Sequence, residues 1–161
     1  MLALKLSTSL CSLKSQALFN VWSLALNGTD EYVSADGIGN DINPNLGTYS
    51  VWINLGAHSA NGFIMQSRND TDNQISLYYH NGSSELRFIW KGSGTPTTVA
   101  SGINPESDGK WHHVAATWNT TSNEAKIYVD GVLKGTETIT SSFSGTVSLF
   151  DIGQNTASAG W

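Results

Sequence analysis

The chain has 161 residues, enough for one domain-sized core, and a formal net charge of −5. Its few Lys and Arg residues are scattered, so no basic patch exists to neutralise a phosphate backbone, and nucleic acid is excluded as a partner. The single cysteine, Cys11, excludes an intrachain disulfide and a multi-cysteine zinc site, and no run approaches the ~20 apolar residues of a bilayer span.

Residues 1–20, MLALKLSTSLCSLKSQALFN, carry apolar character interrupted by Lys5 and Lys14, with no charged region before it, which argues against a secretion signal. Alternation of Leu2, Leu4 and Leu6 instead fits a short strand, and this N-terminal segment is expected either to supply an edge to the domain that follows over 21–161 or to dock on a partner. From there, apolar runs alternate with turn clusters, and no stretch sustains a 3.6-residue period. Strands are predicted near Val21 to Leu26, Thr48 to Leu55, Gly62 to Arg68, Gln74 to His80, Leu86 to Lys91 and Thr98 to Ser101. Turn signals separate them at Asn27-Gly28, Asn69 to Asn73, Asn81-Gly82, Gly92 to Pro96 and Asp108-Gly109. Four Asn-x-Ser/Thr sequons, at Asn27, Asn69, Asn81 and Asn119, all fall in predicted turns, as the abundance of those residue types makes natural.

The segment DGKWHHVAATWNTTSNEAKIYVDGVLKGT, from Asp108 to Thr136, reads as a three-strand meander over Trp111 to Trp118, Glu124 to Val129 and Val132 to Thr138. Asp130-Gly131 is a two-residue type I′ turn, which needs positive φ at both positions. A four-residue loop over Asn119 to Ser122 would set Val114 against Ile127 and Ala116 against Ala125, whereas a five-residue loop would bury Lys126 opposite Ala116. The four-residue register is therefore expected. A last strand runs from Thr146 to Ile152. Many short strands with regular turns specify an all-β fold, a two-sheet antiparallel β-sandwich.

Alternation also separates faces. Tyr49, Val51, Ile53 and Leu55 form an apolar set that leaves Trp52 on the other side, and Ile75, Leu77 and Tyr79 leave Tyr78 and His80 likewise. Leu86, Phe88 and Trp90 turn inward and Arg87 outward. An aromatic ring facing away from a core is the physical means of binding a sugar, because it stacks on the apolar face of a pyranose while polar neighbours orient the hydroxyls. Trp52, Tyr78, His80, Arg87, His113 and Tyr128 are the candidates for such a carbohydrate-binding surface; the competing reading is that each covers a sheet edge or packs under a loop. His112 and His113 point to opposite faces of one strand, so they cannot share a metal, and one is expected to be a core histidine satisfied by backbone.

Trp111-His112-His113-Val114-Ala115, Ile127-Tyr128-Val129-Asp130-Gly131 and Asp151-Ile152-Gly153 resemble motifs of the laminin G-like, or concanavalin A-like lectin and glucanase, jelly-roll family. Asn27 to Val33 resembles its first turn, and Tyr49 to Ile53 its next core strand. Members continue past the Ile-Gly step into closing strands, whereas this chain stops at Trp161. The resemblance thus implies a copy without those strands, or one whose edge is covered by the N-terminal segment or a neighbouring chain. It also implies a structural calcium ion (Ca2+) at the turn holding Asn27 and Asp30, with Asp36, Asn40 and Asp41 nearby; Asx turns account for the same residues.

Hydrolases of this shape place carboxylates on alternate residues of one strand, and no Glu-x-Asp-x-Glu run occurs. Glu106-Ser107-Asp108 comes nearest, but it lies in a turn after Pro105. The leading expectation is a non-catalytic, lectin-like module that binds glycans. A structural or adhesive component of a larger assembly such as a phage virion, binding protein surfaces or oligomerising, is the alternative, and a glycoside hydrolase comes third. Either of the first two readings puts the protein outside the cell or on a virion.

Overall fold

The structure, a computed structural model, describes residues 23–57 and 59–154. The N-terminal strand expected within 1–20, and Cys11 with it, lie outside the described residues. The described residues form ten strands: β1 (Val33–Ser34), β2 (Leu46–Ile53), β3 (Gly62–Arg68), β4 (Gln74–His80), β5 (Glu85–Gly92), β6 (Thr95–Ala100), β7 (His112–Asn119), β8 (Glu124–Val129), β9 (Val132–Thr138) and β10 (Leu149–Ile152). They form a six-stranded sheet in the order β1-β10-β3-β4-β5-β6 and a four-stranded sheet in the order β2-β7-β8-β9, with antiparallel pairing throughout. Two short 3-10 turns, Asp36–Asp41 and Asn81–Ser83, interrupt the strands.

The predicted all-β sandwich is the observed fold, and the alternation that predicted it also builds the core. Ile75, Leu77, Leu86, Phe88 and Trp90 from the larger sheet meet Tyr49, Val114, Ala116, Trp118 and Ile127 from the smaller one, all buried. Tyr49 crosses the interior. Its ring meets Trp118 edge-on at 5.1 Å and Phe150 at 6.2 Å. Its hydroxyl bonds Ser67 Oγ and donates to the Ile75 carbonyl at 3.3 Å, both on the opposite sheet. Burial pushes its phenol pKa up, so it remains a neutral donor at any physiological pH. The indoles are also satisfied: Trp90 Nε1 donates to the Pro44 carbonyl (2.8 Å) and Trp118 Nε1 to that of Asn43 (3.1 Å). One loop ahead of β2 therefore serves the polar ends of a tryptophan from each sheet. Gly47, paired with Trp118 across β2 and β7, makes room for that indole, because a Cβ there would lie 2.3 Å from its Cζ2.

Three local expectations are corrected. The β7–β8 loop does have four residues, but they are Thr120 to Asn123, so Val114 pairs with Val129, Ala116 with Ile127 and Trp118 with Ala125. The Asn119 side chain decides this by accepting from the backbone of Thr121 and Ser122, while Asn123 takes the left-handed conformation that closes the turn. The shift is two residues, one full pleat, so every face survives. Pro96 lies inside β6 rather than in a turn: the chain reverses at Ser93-Gly94, both with positive φ, and a proline costs no ladder bond on an edge strand. Residues 23–26 of the strand expected from Val21 to Leu26 are irregular, and the strand in that region is β1, pairing Val33 with Ile152. Asp130-Gly131 is the expected turn, with φ of 51° and 77°.

Replacing Tyr49 by Phe removes the hydroxyl that ties the sheets and leaves the Ser67 Oγ and Ile75 carbonyl contacts unmade. Urea unfolding should show a loss of about 1–2 kcal/mol; an unchanged midpoint would mean that the hydroxyl contributes nothing to the union of the sheets.

Candidate functional site

The pleat of the larger sheet sets one row of side chains outward across three strands: Phe63 on β3 pairs with Tyr78 on β4, which pairs with Arg87 on β5. An irregularity between Phe63 and Met65 puts Phe63 outward while Met65 and Leu77 pair facing the core. The Phe63 and Tyr78 rings stack at 5.2 Å and 16°, and His80 meets Tyr78 edge-on at 6.2 Å. These side chains line a cavity of about 340 Å³ with Asn61, Ile89, Pro96 and Thr98. Tyr78 is only 6% exposed and forms its floor; burial raises its phenol pKa.

Polar groups on this face are held in fixed roles. His80 Nδ1 accepts the backbone N–H of Ser83 at 3.1 Å, so a neutral ring carries its proton on Nε2 and offers it as a donor. Arg87 Nε donates to Glu85 Oε1 at 2.9 Å, and its terminal nitrogen lies 2.8 Å from the same oxygen. Ser83 Oγ donates to Glu85 Oε1 (2.8 Å), and the Gly102 backbone N–H to Glu85 Oε2 (3.0 Å). Burial of Glu85 opposes its charge, but these bonds outweigh burial and hold the carboxyl below its usual pKa range.

The six aromatic and polar candidates do not share a surface. Tyr78, His80 and Arg87 lie together on the larger sheet, whereas Trp52, His113 and Tyr128 stand on the outward face of the smaller one, across the sandwich core. There Trp52 is 63% exposed, its ring 5.3 Å from that of His113, whose Nε2 is 2.9 Å from Ser50 Oγ. Phe63, Asn61, Ile89 and Thr98 were not among the candidates. Period-two reading cannot assign Phe63 a face, because the irregularity after it breaks the count.

At the turn of Asn27 and Asp30, Asn27 Oδ1 accepts the backbone N–H groups of Thr29, Asp30 and Glu31, while its amide donates to Asp30 Oδ1 at 2.7 Å. This is an Asx turn closed on itself. Asn27's oxygen is thereby committed to three donors within the turn, and no chemistry is drawn through a cation here. Among the described residues, no group of three or more His, Cys, Asp or Glu side chains could hold a metal.

One of the paired histidines was expected to be satisfied by backbone, but the His113 ring meets Ser50 Oγ and His112 meets two carboxylates. His112 Nδ1 lies 2.8 Å from Asp130 Oδ2 and its Nε2 3.1 Å from Asp108 Oδ1, so carboxylates rather than backbone satisfy the ring. The carboxylates bracket the imidazole and do not converge on a common point. A neutral imidazole can donate to only one of them, so the arrangement calls for the protonated ring. The Asp130 contact, and then the Asp108 contact, raise the His112 pKa. Asp130 Oδ1 also accepts the His113 backbone N–H, and the Gly109 carbonyl takes the Asn54 amide, so this clip joins two turns to β2 and β7. Glu106 and Asp108 do separate work: Glu106 Oε2 accepts from the Tyr79 hydroxyl at 2.8 Å, while Asp108 holds the clip.

Residues 27–161 match the family described as the concanavalin A-like lectin/glucanases superfamily. No curated protein matches the chain. Similar solved structures include domains LG4-5 of the mouse laminin α1 chain, at 18% identity and a TM-score of 0.57 over 70% of this chain and 29% of that one. The CBM40 of a Ruminococcus gnavus IT-sialidase aligns at 17% identity and 0.54 over 69% of this chain and 65% of that one, and it has also been solved with α2,6- and α2,3-sialyllactose bound. A heptameric SAP-like pentraxin from Limulus polyphemus aligns at 20% and 0.51, over 68% and 52%. At these identities the likeness establishes a shared fold, and the chain spans less than two thirds of each of these proteins.

The clip makes a signed prediction. A raised histidine pKa stabilises fully below the unfolded value of about 6.5 and is lost as pH rises through the folded one; the lowered pKa values of Asp130, chiefly through His112, and of Asp108, chiefly through the Lys110 backbone N–H, stabilise above about 4. His112→Gln should therefore lower the melting temperature most between about pH 4 and 6.5, and the gap to the parent should narrow as pH rises above that window. A gap that is constant with pH would mean the imidazolium is not what joins the turns.

Proposed function

The chain belongs to the concanavalin A-like lectin/glucanases superfamily, and from that premise we propose that it is a non-catalytic carbohydrate-recognition module whose binding face is the outward surface of the six-stranded sheet. One observation carries the reading: the stacked Phe63 and Tyr78 rings back a cavity whose rim presents hydrogen-bonding groups on Asn61, His80 and Thr98. Stacked rings offer a hydrophobic wall to the C–H face of a pyranose, and the rim groups sort its hydroxyls. The binding reading is favoured over hydrolysis because the carboxylate nearest the cavity, Glu85, is engaged by Arg87, Ser83 and the Gly102 backbone. It is thereby kept ionised and is poorly placed to give up a proton as a general acid.

A second reading, a structural or adhesive component of a larger assembly such as a virion, draws on the opposite sheet. Trp52 and Leu133 are exposed there, Leu133 paired with Tyr128, and Val132 is exposed at the turn beside them. An extracellular or virion-displayed setting accords with both readings.

Three variants and a glycan array separate them. Phe63→Ala and His80→Ala should each weaken glycan binding about tenfold or more, the loss of one ring contact or one oriented donor, with folding intact. Trp52→Ala should leave binding unchanged. Loss on Trp52→Ala instead would move the site to the smaller sheet, and an absence of binding to any glycan, with a stable oligomer in solution, would favour the assembly role.

A further inference from the structure

Arg87 stands on the wall of the cavity, where a guanidinium would ordinarily recruit a carboxylate. Its charge is already matched. Both Nε and a terminal nitrogen contact Glu85 Oε1, at 2.9 and 2.8 Å, and that terminal nitrogen also donates to Ser83 Oγ at 3.0 Å. Glu85 is itself anchored, by Ser83 on one oxygen and the Gly102 N–H on the other, and its side chain is only 12% exposed. A second carboxylate reaching Arg87 would have to dislodge this anchored one or sit beside it, two like charges in a partly dehydrated site. The rest of the wall holds no Lys, Arg, Asp or Glu: Phe63, Ile89 and Pro96 present carbon, while Asn61, Thr98 and the His80 Nε2–H present groups suited to hydroxyls. A net charge of −5 over the chain adds long-range repulsion of anions.

Resting on the carbohydrate-recognition reading, we infer that this face selects neutral glycans and rejects those bearing a carboxylate, with Glu85 as the residue that sets the preference. Arg87 then serves as a hydrogen-bonded, charge-compensated part of the wall. The same Glu85 that neutralises it also blocks its approach by acids. Fold likeness to a module solved with sialyllactose therefore does not extend to its ligand.

The test is an array of neutral oligosaccharides printed beside their sialylated and uronic-acid counterparts, probed with the full chain and with Glu85→Gln. The parent should favour neutral members by about tenfold or more, and E85Q, which keeps the shape but frees the guanidinium, should shift that ratio about tenfold toward the acidic ones. Neutral-glycan binding by the parent should also change by less than about twofold between low and high salt. If the parent binds acidic members as well as neutral ones, the selectivity is overturned while the recognition reading stands; if it binds no glycan, both fall. A folded E85Q with an unchanged ratio would remove Glu85 from the role. If E85Q does not fold, the parent's neutral-to-acidic ratio and salt series decide, and binding that collapses with salt overturns the inference.

Discussion

Everything in this sandwich is referred to the crossing made by Tyr49. The side chain leaves the smaller sheet, packs against Trp118 of its own sheet and Phe150 of the other, and ends in hydrogen bonds to Ser67 and Ile75. A buried phenol without partners would be destabilising, and one bonded across the interior registers the sheets against each other as well as holding them together. The Asn43 and Pro44 carbonyls do the same for the indoles of Trp118 and Trp90. With the inward face set at these points, the two-residue period settles the outward face of each regular strand, and it is the outward faces that are available for function.

The candidate site follows from that geometry. Phe63, Tyr78 and Arg87 are neighbours because antiparallel pairing places them opposite one another, though they are distant in the chain. Glu85 reaches Arg87 because both belong to one face of β5, two residues apart, and the 3-10 turn ahead of the strand brings Ser83 to the pair. Local chain geometry thus builds the charge compensation, while cross-strand geometry builds the aromatic wall. On the other side of the molecule, the His112 clip ties the meander's turns together with the same economy, one ring between two carboxylates.

The strands Gly62–Arg68, Gln74–His80, Glu124–Val129 and Val132–Thr138 have the bounds expected from alternation and turn residues, because their ends are marked by Gly, Asn and Asp. Asp130-Gly131 was legible for the same reason. The β7–β8 pairing was misplaced by two residues because apolar matching is satisfied equally well one pleat away, and the discriminating contacts, Asn119 to its own loop and Trp118 over Gly47 and Ala125, involve a turn conformation and a third strand. Pro96 was read as a turn residue because nothing local distinguishes an edge strand from a central one. The partners of His112 were not legible, since no spacing rule brings Asp108 and Asp130 to the two sides of one ring.

Alternation of apolar and polar residues, together with turn chemistry, determined from the sequence alone that this is a two-sheet sandwich, and it identified Trp52, Tyr78, His80, Arg87, His113 and Tyr128 as pointing away from the core. These are local properties, carried by neighbours along one strand. Tertiary structure decided which of those residues share a surface. It put Tyr78, His80 and Arg87 on one sheet and Trp52, His113 and Tyr128 on the other, brought Phe63 to the first group, and sank Tyr78 into a floor. The physical reason is that strand order and sheet membership depend on which strands pair across long separations, and the energies of those pairings are summed over contacts that no single stretch of chain contains.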